Sequence, residues 1–338
     1  TRLDTSAAEG NEYRFIVAVI APLLLLGIRN SFLLDDAFIS FRYAQNLVAG
    51  EGLIWNAGDP TPVEGYTNFL WVVIIALASL VHMAPALSSM VVGLVCAAGT
   101  LVFTYKLAVA ALGSRAFALM AVVLLGTNYS FSCYMTGGLE TALQALLFVA
   151  SAHVCLSTVQ RGRLGSRGTL AGLSLLFACS VLTRLDSAVV CAVLYFYLLT
   201  HLWRTPRTES RRIGAMVALT VPAALVVGAW LVAKYLYYGD ILPNTFYLRF
   251  GGPVAGTLRD GLWYVWSFFA SYMLVPFVLL VAVFYANLGP MARVGAWLVV
   301  AWLLYVVCVG GGFMEYRFVV PILPVFYILV CRVVQLLH

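Results

Sequence analysis

The chain is 338 residues long, 63% hydrophobic and only 10% charged, with a formal net charge of +6. Soluble domains run at roughly 45–50% apolar and 25% charged, so this composition excludes a soluble globular protein and describes an integral membrane one, for which a single multi-helix domain is the natural unit. The basic excess does not read as nucleic-acid binding, because the arginines gather in short loops between apolar runs.

Apolar runs long enough to cross a bilayer, about 17–25 residues, fall near 14–34, 68–83, 88–112, 115–131, 138–159, 169–185, 187–203, 213–236, 261–285, 294–310 and 319–337. The first is long enough to stay as a span rather than act as a cleavable signal. Three basic loops fix the sides by the positive-inside rule: Arg161, Arg163 and Arg167; then Arg204, Arg207, Arg211 and Arg212; then Arg293. Counting back from the first puts Glu140 outside and Arg115 inside. If 68–83 also spanned, Asp35 and Asp36 would share a side with the basic loops. This run is the shortest and is bounded by His82 and Pro85, so it reads as an interfacial helix. The expected architecture is all-α and polytopic, with about ten transmembrane helices, the N-terminus inside, and the interfacial helix within a first outer loop, 35–87.

Asp35 and Asp36 stand where the first span leaves the bilayer, and charge there is costly unless it caps, pairs or works. One of them could cap the next helix, which Gly50 would end; the other is then unexplained. Seven cysteines lie in or beside apolar runs without CxxC spacing and read as small buried hydrophobes. No HExxH, GxGxxG or P-loop pattern occurs, so zinc hydrolysis and soluble-type nucleotide binding are unsupported.

The stretches DDAFISFRYAQNL, GLIWN and VEGYTNFLW are followed in order by GGLETAL, LTRLD, YYGDILPNTFY and GGGFMEYRFVVPILP. They resemble the motifs of bacterial GT-C glycosyltransferases that use polyprenyl-phosphate sugars, and within that class the family of the mycobacterial terminal β-(1→2)-arabinofuranosyltransferase. The resemblance covers nearly the whole chain. It implies a GT-C transmembrane domain over 1–338, without the further helices and soluble C-terminal domain usual in the family. It also implies a multi-pass protein of the cytoplasmic membrane with its site on the outer face, where every one of these motifs falls. Nucleotide sugars are cytoplasmic, so the donor there is a polyprenyl-phosphate sugar, decaprenyl-phosphate arabinose by resemblance, and the acceptor a cell-wall glycan such as the arabinan of arabinogalactan or lipoarabinomannan. A GT-C mannosyl or other sugar transferase to protein or lipid is the alternative. A lipid-sugar flippase or transporter is the rival from another class, although transporters place their charges near the midplane.

The chemistry needs a base for the acceptor hydroxyl, cations for the leaving phosphate and an apolar groove for the prenyl tail. By resemblance the base is Asp36 or Asp35, with Glu140 as a second acid, although a helix N-terminus favours a carboxylate at Glu140 in any case. On a helix Asp35 and Arg42 share a face, so Arg42 is expected to hold Asp35 ionised, with Asp36 pointing alongside Ser40 and Tyr43. The arginine fork suits phosphate, which makes Arg317, Arg249 and Arg184 the donor-binding candidates, with Lys234 beside them. Snorkelling to headgroups is the other role open to each, and Arg184 and Asp186 read as a pair at a tight hairpin. Glu64, Tyr66, Asn68, Asp240 and Asn244 are candidates for holding sugar hydroxyls; Asp240 and Asn244 also suit a turn, and Glu64 a solvated loop. No cofactor is required, although a divalent cation would find oxygen ligands in Asp36 and Glu140. Aromatic residues of the outer loops, Trp55, Tyr66, Tyr238 and Tyr247 among them, suit sugar stacking and equally an interfacial belt. One departure stands out: where the family follows its glycines with an acid, this chain reads Gly310-Gly311-Gly312-Phe313.

Overall fold

A computed structural model describes residues 2–58, 61–206, 208–243 and 254–338, the side chains of 2–13 and 15 excepted. The described residues form helices and no strand: α1 (Arg2–Arg29), α2 (Ala37–Val48), α3 (Phe69–Leu80), α4 (Pro85–Leu112), α5 (Arg115–Thr127), α6 (Tyr129–Tyr134), α7 (Thr141–Gln160), α8 (Arg167–Thr183), α9 (Ala188–Arg204), α10 (Glu209–Tyr238), α11 (Val254–Ser271), α12 (Val275–Val283), α13 (Pro290–Cys308) and α14 (Leu323–Leu337). Punctuation is local. Asn128 separates α5 from α6 by turning its side-chain oxygen to the Phe131 amide at 3.0 Å, the capping geometry that asparagine favours.

Among the described residues six helices are long and apolar enough to cross a membrane: α4, α7, α10, α13, and α9 and α14 with their leading 3-10 turns. A seventh results if α11 and α12 count as one span, and the apolar parts of α1, α5 and α8 are shorter. Those three are the remaining members of the expected set. The interfacial assignment suits α3, whose 12 residues extend about 18 Å against a hydrocarbon core of ~30 Å. The continuous span expected near 261–285 is instead broken: α11 and α12 meet at 100°, with Met273 at φ 54 between them and a proline in the first turn of α12. That proline is Pro276. A proline suits a helix start and not a helix interior.

α7 and α14 form the centre, each with 72% of its spanning window buried, whereas α10, at 11%, faces outward. α7 packs on α4 and α8, α14 on α5 and α13, and α10 on α8. Antiparallel succession puts the starts of α2 and α7 and the ends of α8, α10 and α13 at one end of the bundle. Arg115, Arg161, Arg163, Arg204 and Arg293 head connections at the other.

Two glycines let the loops at the site end close on one another. Gly138 has φ +81, and a Cβ there would lie 2.8 Å from that of Ala37, so the first turn of α2 rests directly on the start of α7. The Trp71 indole donates to Gly138 O at 3.0 Å and the Leu34 amide to Gly137 O at 3.2 Å, clamping the same contact. Gly311, φ +67, lies against the Tyr264 ring, whose hydroxyl accepts from the Phe318 amide at 3.2 Å. Trp302 donates to Phe318 O at 2.7 Å, so Arg317 sits on a turn fixed from two helices.

Candidate active site

The polar motifs meet around one open cavity of about 440 Å³, within the ~300–1,000 Å³ usual for ligand sites. Its wall takes Asp36 from just before α2, Ile39 and Ser40 from α2, Tyr66 and Asn68 from the following loop, Arg184 and Asp186 from the turn between α8 and α9, Tyr305 from α13, and Arg317.

Behind the wall lies Glu140, wholly buried. Its Oε1 accepts from Arg184 Nη1 at 2.9 Å and from Arg317 Nη2, and its Oε2 accepts from Asn68 Nδ2 at 2.7 Å. Burial alone would push this carboxyl up, but Arg317 and then Arg184 outweigh it and hold the group at about 2. Arg184 also grips Asp186 through Nε at 3.0 Å and Nη2 at 2.7 Å. Asp186 in turn accepts from Gln144 Nε2 at 2.9 Å and the Tyr305 hydroxyl at 3.0 Å. Asn68 ties the network to α2 through Ser40 Oγ at 3.0 Å. The arginines and Glu140, named separately from the sequence, are therefore one bonded unit, and Glu140 is an anchor with both oxygens engaged rather than an acid facing the cavity. The pairing of Arg184 with Asp186 is as expected.

Asp36 is the carboxylate left open. It lies on the cavity wall, and its side chain makes no hydrogen bond or ion pair among the described residues. Asp35 is exposed and off that wall, and among the described residues its side chain accepts from the Asp36 amide at 2.9 Å. Arg42 does not hold it. Arg42 Nε donates to Trp55 O at 2.7 Å, and the guanidinium lies over the Trp55 ring. The seven-residue spacing aligns two side chains only inside a helix, and α2 begins after Asp35. Ser40 shares the wall with Asp36 as expected. Tyr43 does not; it is buried, donating to Val63 O at 2.7 Å and accepting from the Gly65 amide at 2.9 Å.

Glu64 and Lys234 correct two further expectations. They form a buried ion pair at 2.8 Å, off the cavity wall, so neither is free for sugar or phosphate. Burial raises the Glu64 carboxyl, with Lys234 opposing. Asp240 is exposed and serves the turn, its Oδ1 accepting the amides of Ile241 at 2.6 Å and Leu242 at 3.1 Å. Tyr66 and Asn68 are on the wall as expected. Asn244, Tyr247 and Arg249 lie outside the described residues. At the position where the resemblance leads one to expect an acid, Phe313 is 91% exposed; the next acid, Glu315, accepts from Ser130 Oγ at 3.0 Å, away from the cavity. Sequence reasoning passed over Gln144 and Tyr305, although a glutamine one turn into an apolar span is the kind of residue that membrane interiors retain only with a partner.

No family model matches the chain. Over 258 residues it is 28% identical to the terminal beta-(1→2)-arabinofuranosyltransferase of Mycobacterium tuberculosis, a match covering 72% of this chain and 39% of that protein. Its fold is similar to that of the archaeal oligosaccharyltransferase AglB from Archaeoglobus fulgidus, solved with an inhibitory peptide and a dolichol-phosphate, with a TM-score of 0.54 at 9% identity over 95% of this chain and 50% of that one. The chain thus spans half or less of the length of both proteins. The chain is thus similar in sequence to one glycosyltransferase and shares its fold with another.

Proposed function

We propose that the chain carries the transfer site of a membrane glycosyltransferase that moves D-arabinofuranose from a polyprenyl-phosphate donor to an envelope arabinan at the outer face of the cytoplasmic membrane. The observation that carries this reading is Asp36, a carboxylate with no side-chain partner among the described residues, on the wall of a cavity that also presents Arg184 and Arg317. Similarity to the mycobacterial enzyme supports the choice of arabinose, and the dolichol-phosphate bound to the archaeal protein supports a lipid-phosphate donor.

Asp36 takes the acceptor hydroxyl proton as that oxygen attacks the anomeric carbon. The bond from this carbon to the phosphate oxygen breaks, and its electron pair leaves with the polyprenyl phosphate. Arg317 is the phosphate anchor. Of the five N–H donors of a guanidinium, its Nη2 serves Glu140, while among the described residues Nη1 meets only the Met314 sulfur at 3.8 Å. Arg184 is engaged on both edges and positions the unit. No metal is invoked at Asp36 and Glu140: both Glu140 oxygens are taken, and two guanidinium groups beside them repel a divalent cation. A flippase needs a path open to both sides, and the cavity wall is drawn from one end of the bundle.

The test is transfer of labelled arabinose from polyprenyl-phosphate arabinose to a short arabinan. Asp36→Asn should lose about 10²-fold or more, the contribution of a general base, and Asp35→Asn should stay close to wild type. Equal rates in all three proteins would sink the assignment.

A further inference from the structure

A second cavity, about 290 Å³, lies beside the first and shares Ile39 and Gly65 with its wall. Tyr43, Ile54, Trp55 and Asn56 complete much of its lining. Trp55 is the residue that the sequence left between sugar stacking and an interfacial belt. A belt residue needs no fixed ring orientation, and this one is fixed. Its carbonyl accepts from Arg42 Nε at 2.7 Å and Asn46 Nδ2 at 3.2 Å. The Arg42 guanidinium stands 4.7 Å from the ring centroid, and the Tyr43 ring lies 5.9 Å away. The residue is nonetheless 37% exposed. The hydroxyl of Tyr43, bonded to Val63 O and the Gly65 amide, ties the facing strip of loop to α2.

We propose that this second cavity is a carbohydrate subsite, holding sugar residues of the acceptor behind the one being extended; it rests on the transferase reading above. A tryptophan face matches the apolar C–H face of a sugar ring, and such amphipathic rings serve where a ligand is apolar on one side and wet on the other. Among the described residues the cavity wall carries no charged side chain, which suits a neutral ligand, whereas the first cavity has arginines for a phosphate. The shared wall at Ile39 and Gly65 lets one glycan run through both, with its terminal hydroxyl near Asp36. A prenyl tail suits it less, because Asn56 and Thr61 line it and the loop around it is exposed.

The experiment compares wild type, Trp55→Ala and Trp55→Phe, reconstituted in liposomes, on arabino-oligosaccharides of increasing length. Trp55→Ala should raise KM for the longer acceptors about tenfold, the scale of removing an aromatic anchor, while KM for the single-residue acceptor moves far less and Trp55→Phe retains most of the length dependence. A KM that changes equally at all lengths, or at none, overturns the subsite and leaves the transferase standing. A rise in KM for the polyprenyl donor instead assigns the cavity to the lipid tail and also overturns it. If no transfer occurs at all, saturation-transfer NMR with the same oligosaccharides decides. A saturation signal that grows with acceptor length and vanishes in Trp55→Ala upholds the subsite and overturns the transferase reading; no signal at any length overturns both.

Discussion

Glu140 has no contact with the cavity, yet it decides where both arginines stand. Removing one partner from a buried ion pair leaves an uncompensated charge and costs about 3–5 kcal/mol. Glu140→Gln should therefore lower the thermal midpoint of the purified protein and reduce transfer through loss of donor binding, read as a raised KM for the polyprenyl donor. The same residue sets an acid limit. Its folded carboxyl, at about 2, lies below the ordinary 4.5, so its stabilisation is complete above the unfolded value and is lost as pH falls from about 4.5 towards 2. Stability followed across this window should drop in wild type with a steeper slope than in Glu140→Gln; equal slopes would remove Glu140 from the account. The place of Asp36 on the cavity wall agrees with the expectation that charge at a membrane edge has a reason. The partnership of Glu140 with Arg317 was not legible in the sequence, since 177 positions separate them and each has a bland local explanation. The Glu64–Lys234 pair was hidden in the same way.

At the scale of elements, the contact that matters is the first turn of α2 on the start of α7. Gly138→Ala would force a Cβ against Ala37 and Leu33 at 2.8 and 2.9 Å, on a backbone at φ +81. Gly58 offers a control, with φ +80 and nothing within 4 Å of its added Cβ. Both substitutions carry left-handed strain of about 1–2 kcal/mol, and only Gly138→Ala should also displace Asp36 from the arginines. The expected result is a kcat loss in Gly138→Ala with Gly58→Ala near wild type, measured on the same acceptor. The helices themselves were readable from apolar run length, and the 12 residues of α3 make it one of the short ones. The break between α11 and α12 escaped because an apolar window averages over Met273, although Pro276 marked the place.

For the whole molecule, the topology from basic loops and the gathering of the motifs at one end agree, and they do so through different physics: lipid-facing charge asymmetry in one case, side-chain bonding in the other. Of the six span-length helices, α10 is the least buried. The 30 residues of α10 extend about 45 Å, well beyond the ~30 Å of hydrocarbon. Its last turns carry Lys234, bound to Glu64, and Tyr238, whose hydroxyl donates to Leu53 O at 2.6 Å. The first loop is thus bolted to a post whose height is set by lipid. A thinner bilayer must tilt or sink that post, and the loop that bears Trp55 moves with it. Proteoliposomes of short-, medium- and long-chain phosphatidylcholine should accordingly differ in KM for long acceptors more than in turnover of short ones, which would make the thickness of the surrounding membrane a determinant of how much polymer the protein can grip.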